Sequence, residues 1–484
     1  MKASDLALPE VSVRFLTDDP AMQRLYDEAE AKCRRNLADF TGERVLVEGG
    51  GYEKIWLETQ PMGGEMYAAR DMAAALGNHL LFMRTQRADG RLPGSIQCHA
   101  DGRIEPQFNK FQGFCFPWHA LNMYYWAGLD DGYLHALADT LERFDEYLWR
   151  TRDSDGDGCL ESFCVYDTGE DNAVRYGDAP VYCTTDTPPQ GSAVVPMASM
   201  DIMSFSFSAR DTLAEISRLL GDGREAYWRG AAQKVADAMK ARLWDESRGA
   251  CYDRDRTGRT MPILTHNNLR CMYWGSFSQE MADRFVAEHL TNPDEFDTPL
   301  PLPSVAANDP AFRNAPENNW SGQCEGLTFQ RAILALERYG YEKLVTRIGQ
   351  RLFDAVIRGG YVFTQQFDPF TGAPSLVSMA AHEVIPPGSD EPVQDAYGPT
   401  LLAVLEYIAH IYGVDMEMGR MLFSLGSGLR YSYALRWRGR VYEIRSDGQT
   451  AQVFIDGALR HASPCGVRLI TNRDGELIGT RELE

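Results

Sequence analysis

The segment YAARDMAAALGNHLLFMRTQ, residues 67–86, repeats apolar side chains with the period of an α-helix: Met72, Ala75, Leu76, Leu80 and Met83 fall on one face. The same period recurs over residues 22–40, 116–128, 133–151, 202–220, 224–243, 279–290, 322–339, 341–357 and 399–412. Paired helices alternate with longer loops rich in Gly, Pro and aromatic residues. An amphipathic helix must bury its apolar stripe against another layer. Six such hairpins closing on themselves would do this, so the pattern predicts a mainly α chain built as an (α/α)6 toroid.

After residue 424 the period shortens to two. Leu429-Arg-Tyr-Ser-Tyr-Ala-Leu-Arg-Trp437, Val441-Tyr-Glu-Ile-Arg445 and Ala451-Gln-Val-Phe-Ile455 alternate, with turns at Arg438-Gly439, Asp447-Gly448 and Asp456-Gly457. Residues 425–484 are therefore expected to form a small antiparallel β domain, and residues 1–424 the helical barrel. The tail is expected to serve packing or assembly, with a homo-oligomer open.

The composition is that of a globular protein: 484 residues, 44% hydrophobic and 24% charged. A net charge of −21 without a local basic patch argues against nucleic acid. No apolar run approaches the roughly 20 residues of a membrane span. The N-terminus lacks the apolar core of a signal peptide. The ten cysteines form no Cys-x-x-Cys pair, so structural zinc is not expected and buried thiols in a reducing cytoplasm are. No Gly-rich phosphate loop calls for an organic cofactor.

The chemistry concentrates in Tyr166-Asp-Thr-Gly-Glu-Asp-Asn-Ala-Val-Arg175. Asp167, Glu170 and Asp171 stand beside an aromatic ring and an arginine, and neighbours of that kind can raise a carboxyl pKa into the range of a general acid. The bland alternative is a solvated acidic loop. Other loops carry residue types that suit sugars, which need flat aromatic faces and fixed carboxylates, amides and arginines. These are Trp56 with Glu65, Tyr67, Arg70 and Asp71; Trp118 with His119; and Trp320 with Glu325. Each has a structural alternative: a core aromatic, an internal Arg–Asp pair, a satisfied histidine. Asp153-Ser-Asp-Gly-Asp-Gly158 opens like a calcium loop, but the twelfth position is Cys164 where a bidentate glutamate is needed, so a helix-capping turn is expected.

Taken in order, Arg70-Asp71, Asp89-Gly-Arg-Leu-Pro93, Asp155-Gly-Asp-Gly158, Thr168-Gly-Glu-Asp-Asn-Ala-Val-Arg175, Pro301 to Phe312, Asn319-Trp-Ser-Gly322 and Phe367-Asp-Pro-Phe-Thr-Gly372 resemble glycoside hydrolase family 63, in its mannosylglycerate- and glucosylglycerate-hydrolase-like branch. The resemblance spans roughly residues 50–415 and implies an anomer-inverting glycosidase of the (α/α)6 clan. It places the general acid on Asp171 and puts Gln365 where the family carries its glutamate base. An amide cannot accept the proton of the attacking water. Another carboxylate must then substitute, with Glu383 preferred over Glu325 and Glu170. Alternatively phosphate is the nucleophile, or the barrel binds a sugar without cleaving it. An isomerase would need paired histidines, for which His119, His266 and His382 are the candidates. The expected partner is a small carbohydrate, held by Trp56, Glu65, Tyr67, Arg70, Asp71, Trp118, His119, Glu170, Trp320, Glu325 and Gln365 around Asp171 and Glu383.

Overall fold

The computed structural model describes all residues except 382, 387 and 388. It contains α1 (Pro20–Arg35), α2 (Gln60–Met66), α3 (Met72–Thr85), α4 (Pro117–Ala127), α5 (Asp131–Thr151), α6 (Met200–Leu220), α7 (Glu225–Arg242), α8 (Asn267–Trp274), α9 (Gln279–Phe285), α10 (Gly326–Glu337), α11 (Glu342–Arg358) and α12 (Gly398–Tyr412).

The even-numbered helices form the inner layer. Every residue of α2, α8 and α12 is buried. They pack in sequence, α2 on α4, α4 on α6, α6 on α8, α8 on α10 and α10 on α12, and α12 returns to α2, so the ring closes. The outer helices bury one stripe each. In α7 only Trp228, Ala232, Val235 and Met239 are buried, at helical spacing against α6.

The helix expected at 67–86 starts late, at Met72, and ends at Thr85. Residues 60–66 form α2, and Asp71 starts α3 by accepting from the Ala74 N–H at 3.0 Å. The helix expected to 40 stops at Arg35, and Leu37–Asp39 pairs with Arg44–Leu46. The helix expected from 322 begins at Gly326, because Cys324–Glu325 pairs with Gln366–Phe367. Neither α2 nor α8 was anticipated: both are too short, and α8 too rich in Asn and Arg, for periodicity to mark them.

Two antiparallel sheets cover one end of the ring. One has five strands in the order Val11–Thr17, Tyr431–Trp437, Arg440–Ser446, Thr450–Ile455, Ala458–Pro464; the other has Val414–Glu417, Arg420–Leu425, Val467–Thr471 and Leu477–Glu482. Strand pairing thus starts at Val414, before the expected boundary at 425, and recruits a strand from the start of the chain. The predicted turns at Arg438-Gly439 and Asp456-Gly457 are present, both residues of each at positive φ. Trp437 docks the sheet on the ring by donating its indole N–H to the Trp126 carbonyl at 2.9 Å.

Candidate active site

The loops that enter the inner helices gather at the opposite end, over the helix N-termini, where the ring's backbone N–H groups point. Two adjoining cavities lie there, of about 650 and 180 Å³. Tyr52, Tyr166, Asp171, Trp320 and Gln365 line both. The narrow one adds Glu48, Trp56, Glu58 and Lys110, and the wide one Asn172, Asn319 and Glu383.

The Thr168–Arg175 loop is held from beneath. Arg175 is buried and pairs with Glu170, Asp201 and Asp253. Glu170 also meets His266 Nε2 at 2.8 Å and the Asn267 amide at 3.2 Å. Burial alone would raise the Glu170 pKa, but Arg175 and Arg270, with His266, outweigh it and hold the carboxyl well below its usual range. Glu170 is therefore a fixed anion under the loop, absent from the lining of both cavities, and its role as a base or sugar ligand is corrected to that of a support. His266 donates or accepts at Glu170 and Thr328 and is likewise internal.

With its neighbour anchored, Asp171 turns into the cavities. Its side chain is exposed, and what it is exposed to is their interior. Protein crowds the carboxyl at longer range, and this desolvation pushes its pKa up to about 6, against the opposing pull of Lys110 and a hydrogen bond from Gln112, with Glu170 adding repulsion. The loop's outer side is stitched to the Trp320 loop: Asn172 Nδ2 donates to Asn319 Oδ1 at 2.7 Å, and the Val174 N–H donates to Ser321 Oγ at 2.9 Å.

Gln365 accepts from the Tyr52 hydroxyl at 3.2 Å, with its side chain facing the same space as Asp171. Glu383 is exposed and lines only the wide cavity. Glu325 is buried behind the wall; neither oxygen has a hydrogen-bond partner among the described residues, and burial with repulsion from Asp171 outweighs the nearby Asn319 amide and raises its pKa well above the ordinary value. His382 lies outside the described residues.

Several other expected sugar ligands are elsewhere. Arg70 is buried against Glu30 at 2.6 Å, and Asp71 caps α3 and pairs with Arg44 at 2.7 Å. Tyr67 is core. Glu65, Trp118 and His119 line a small cavity at the far end of the ring, where Glu65 accepts from Asn122 and Trp126, each at 2.7 Å, and meets His119 Nδ1 at 3.0 Å. None of these six lines the two cavities around Asp171. Trp56 and Trp320 are at the cavities as expected.

Sequence reasoning missed Glu48, Tyr52, Glu58, Lys110 and Tyr397. Glu48 accepts from the Tyr397 hydroxyl at 3.0 Å, and burial with Glu58 nearby raises its pKa well above the ordinary value. Glu58 is raised to about 7 by burial, opposed by Arg331 and Arg270. Lys110 is lowered to about 8 by burial and by Lys54. The available signal was Gly49-Gly50-Gly51. A Cβ at Gly49 would stand 2.5 Å from the Ala396 carbonyl, so glycine lets the segment carrying Glu48 press against the loop before α12.

A family model for the mannosylglycerate hydrolase MGH1-like glycoside hydrolase domain matches residues 67–382, more than half of the chain. The chain belongs to that family. A mannosylglycerate hydrolase from Rubrobacter radiotolerans is 23% identical to the MGH1-like chain over 277 residues, covering 48% of it and 62% of the relative. The chain thus matches less than two thirds of that relative's length. The structure of a GH63 mannosylglycerate hydrolase from Thermus thermophilus in complex with glucose covers 79% of this chain and 99% of its own, at 16% identity and a TM-score of 0.60. A structure described as a sialidase covers 98% of this chain and 45% of its own, at 12% identity and a TM-score of 0.70. These two likenesses are of fold. The family 63 resemblance read from the motifs is borne out.

Among the described residues no helix is long and apolar enough to cross a membrane. The cysteines are free, and all but Cys98 and Cys465 are buried. Asp153, Asp155 and Asp157 form a turn in which Gly158 N–H donates to Asp153 at 3.1 Å and Arg242 pairs with Asp157 at 2.6 Å.

Proposed function

We propose that this MGH1-like protein is an anomer-inverting, exo-acting glycosidase of a small α-linked glycoside, with Asp171 as general acid. The observation that carries the reading is a carboxyl at pKa about 6, on an anchored loop, shared by two cavities lined with Tyr and Trp. Such a group is half protonated at about pH 6 and keeps its proton on roughly a tenth of molecules at pH 7, so it can deliver that proton to a glycosidic oxygen. The sugar ring lies against Trp320 and Tyr166, between Asp171 and Glu383. Glu383 takes the proton of a water attacking from the opposite face, and inversion needs about 6.5–9.5 Å between the two carboxyls to admit that water. Gln365, fixed by Tyr52, positions the water or a sugar hydroxyl. The closed ring with outer helices stacked on it supports an (α/α)6 barrel. The strands after 413, with the strand from the chain start, form a β unit fastened to its far end. Free cysteines support a cytoplasmic location.

A second reading has a specific observation behind it. The family resemblance puts Gln365 at the base position, and Lys54 and Lys110 line the narrow cavity. An inverting phosphorylase needs no base, and ammonium groups suit an anion. A screen of small α- and β-glycosides with and without phosphate, following the anomer of the product by NMR, separates the two. Inverted free sugar without phosphate supports hydrolysis; sugar 1-phosphate formed only with phosphate transfers the assignment to phosphorolysis; no turnover of any glycoside leaves a sugar-binding barrel.

A further inference from the structure

We propose that Glu406, His410 and Asp415 form a divalent-cation site that staples the far end of the helical ring to the strands beneath it. One carboxylate oxygen or imidazole nitrogen from each of the three lies within 4.8 Å of the others. They stand at the end of the ring remote from Asp171. Glu406 and His410 come from the second half of α12, one turn apart, and Asp415 from the strand that follows it.

The orientation of His410 is that of a ligand. Its Nδ1 is bound to Glu337 Oε1 at 2.9 Å, and Arg468 holds Glu337 in turn at 2.7 Å. Nε2 therefore faces the other way, 3.3 Å from Asp415 and 3.7 Å from Glu406. A carboxylate fixing one imidazole nitrogen while the other is presented to an ion is the usual outer support of a metal-bound histidine.

Glu406 points to the same conclusion independently. The residue is 6% exposed and lines a cavity of about 40 Å³, yet its carboxylate takes part in no hydrogen bond among the described residues. Its nearest cations are His410 and, at 3.9 Å, Arg70, which is already held by Glu30 at 2.6 Å. A buried carboxylate without a donor is costly unless a cation or a proton meets it. Glu65 and Glu417 line the same cavity, so five carboxylates, those of Glu65, Glu337, Glu406, Asp415 and Glu417, surround the space, where Arg468 pairs with Glu337 and Arg420 with Glu417. The cavity exceeds the roughly 10–15 Å³ that one water requires. Asp415, with 23% of its side chain exposed, provides the way in.

One imidazole with two carboxylates suits a borderline-hard ion such as Mn²⁺ or Zn²⁺. Bonds of about 2.1 Å place ligand atoms at most about 4.2 Å apart, so the cluster would draw in slightly on binding. The ion would tie α12 to the strand that leaves it.

The test is a Mn²⁺ titration of the chelator-treated full chain, with free Mn²⁺ read by electron paramagnetic resonance. Mn²⁺ is the probe because it does not compete for the free thiols. Wild-type protein and D155N, which disables the surface aspartate turn, are expected to bind one equivalent and to gain thermal stability. E406Q and D415N are expected to weaken binding at least tenfold and to lose the thermal shift; D415N, at the rim, serves if E406Q does not fold. Absence of saturable binding below about 1 mM, or wild-type affinity in both ligand variants, overturns the site and assigns the cluster to shared protons.

Discussion

Asn172 and Asn319 exchange no charge, yet their side-chain amides meet at 2.7 Å and couple the acid loop to the aromatic platform. The Trp320 N–H returns to Asn172 Oδ1 at 3.0 Å, so one amide fixes the neighbour of Asp171 and the backbone of Trp320 together. Displacing a reacting group by about 1 Å costs on the order of 100-fold in rate. Asn172→Ala is therefore expected to lower kcat/KM by about 10- to 100-fold while the protein stays folded by circular dichroism. Unchanged kinetics would mean that the loop is positioned by Arg175 alone.

Asp171→Asn removes the proposed proton donor and leaves its size. The expected loss in kcat is about 10²- to 10⁴-fold on a glycoside with an alkyl leaving group. Against a nitrophenyl glycoside, whose leaving group departs without protonation, the loss should be far smaller. Equal losses on both substrates would show that Asp171 binds rather than protonates.

The pKa of about 6 fixes a pH limb. The acid works protonated, so kcat/KM should fall as pH rises through about 6. Lys110 pulls that pKa down, so removing its charge must let it climb. Lys110→Met is expected to shift the alkaline limb to higher pH. A shift downward, or none, would separate Lys110 from the acid.

The same carboxyl bears on stability, with a definite sign. Its folded pKa is raised from 3.8 to about 6, so the folded state binds the proton more tightly than the unfolded chain. The stabilisation this gives is complete below 3.8 and lost as pH rises to about 6, after which ionised Asp171 is a burden. Asp171→Asn should consequently have a higher Tm than wild type at pH 7.5, with the gap narrowing towards pH 4. A lower Tm at pH 7.5 would contradict the raised pKa.

The ring was legible because an outer helix such as α7 buries one stripe and exposes the rest, which leaves a period in the sequence. Two short helices, α2 with seven residues and α8 with eight, are too brief to show one and passed unseen. Asp171, Trp56 and Trp320 could be placed because they sit in loops of unusual composition. Arg70, Asp71 and His119 have equally suggestive composition, yet burial sends them to caps and cross-links. Whether a polar side chain serves the substrate or the scaffold depends on which way tertiary packing turns it, and periodicity does not record that. Lys110 comes from a segment without any motif, and Glu48 is marked only by the glycines that follow it; both reach the narrow cavity through tertiary packing.

The base remains the sharpest question for mutation, because Gln365 cannot serve and several carboxylates stand near. If Glu383 activates the water, Glu383→Ala should reduce turnover by about 10²- to 10⁴-fold. Azide, a nucleophile that needs no base, should then restore bond cleavage and yield a glycosyl azide of inverted configuration. A variant that keeps wild-type turnover sinks Glu383. The base would then pass to Glu48, which lines the narrow cavity with Asp171 and accepts from the Tyr397 hydroxyl. In that case the sugar must sit in the narrow cavity with its leaving group directed outward, and Glu48→Gln, not Glu383→Ala, would be the variant that azide rescues.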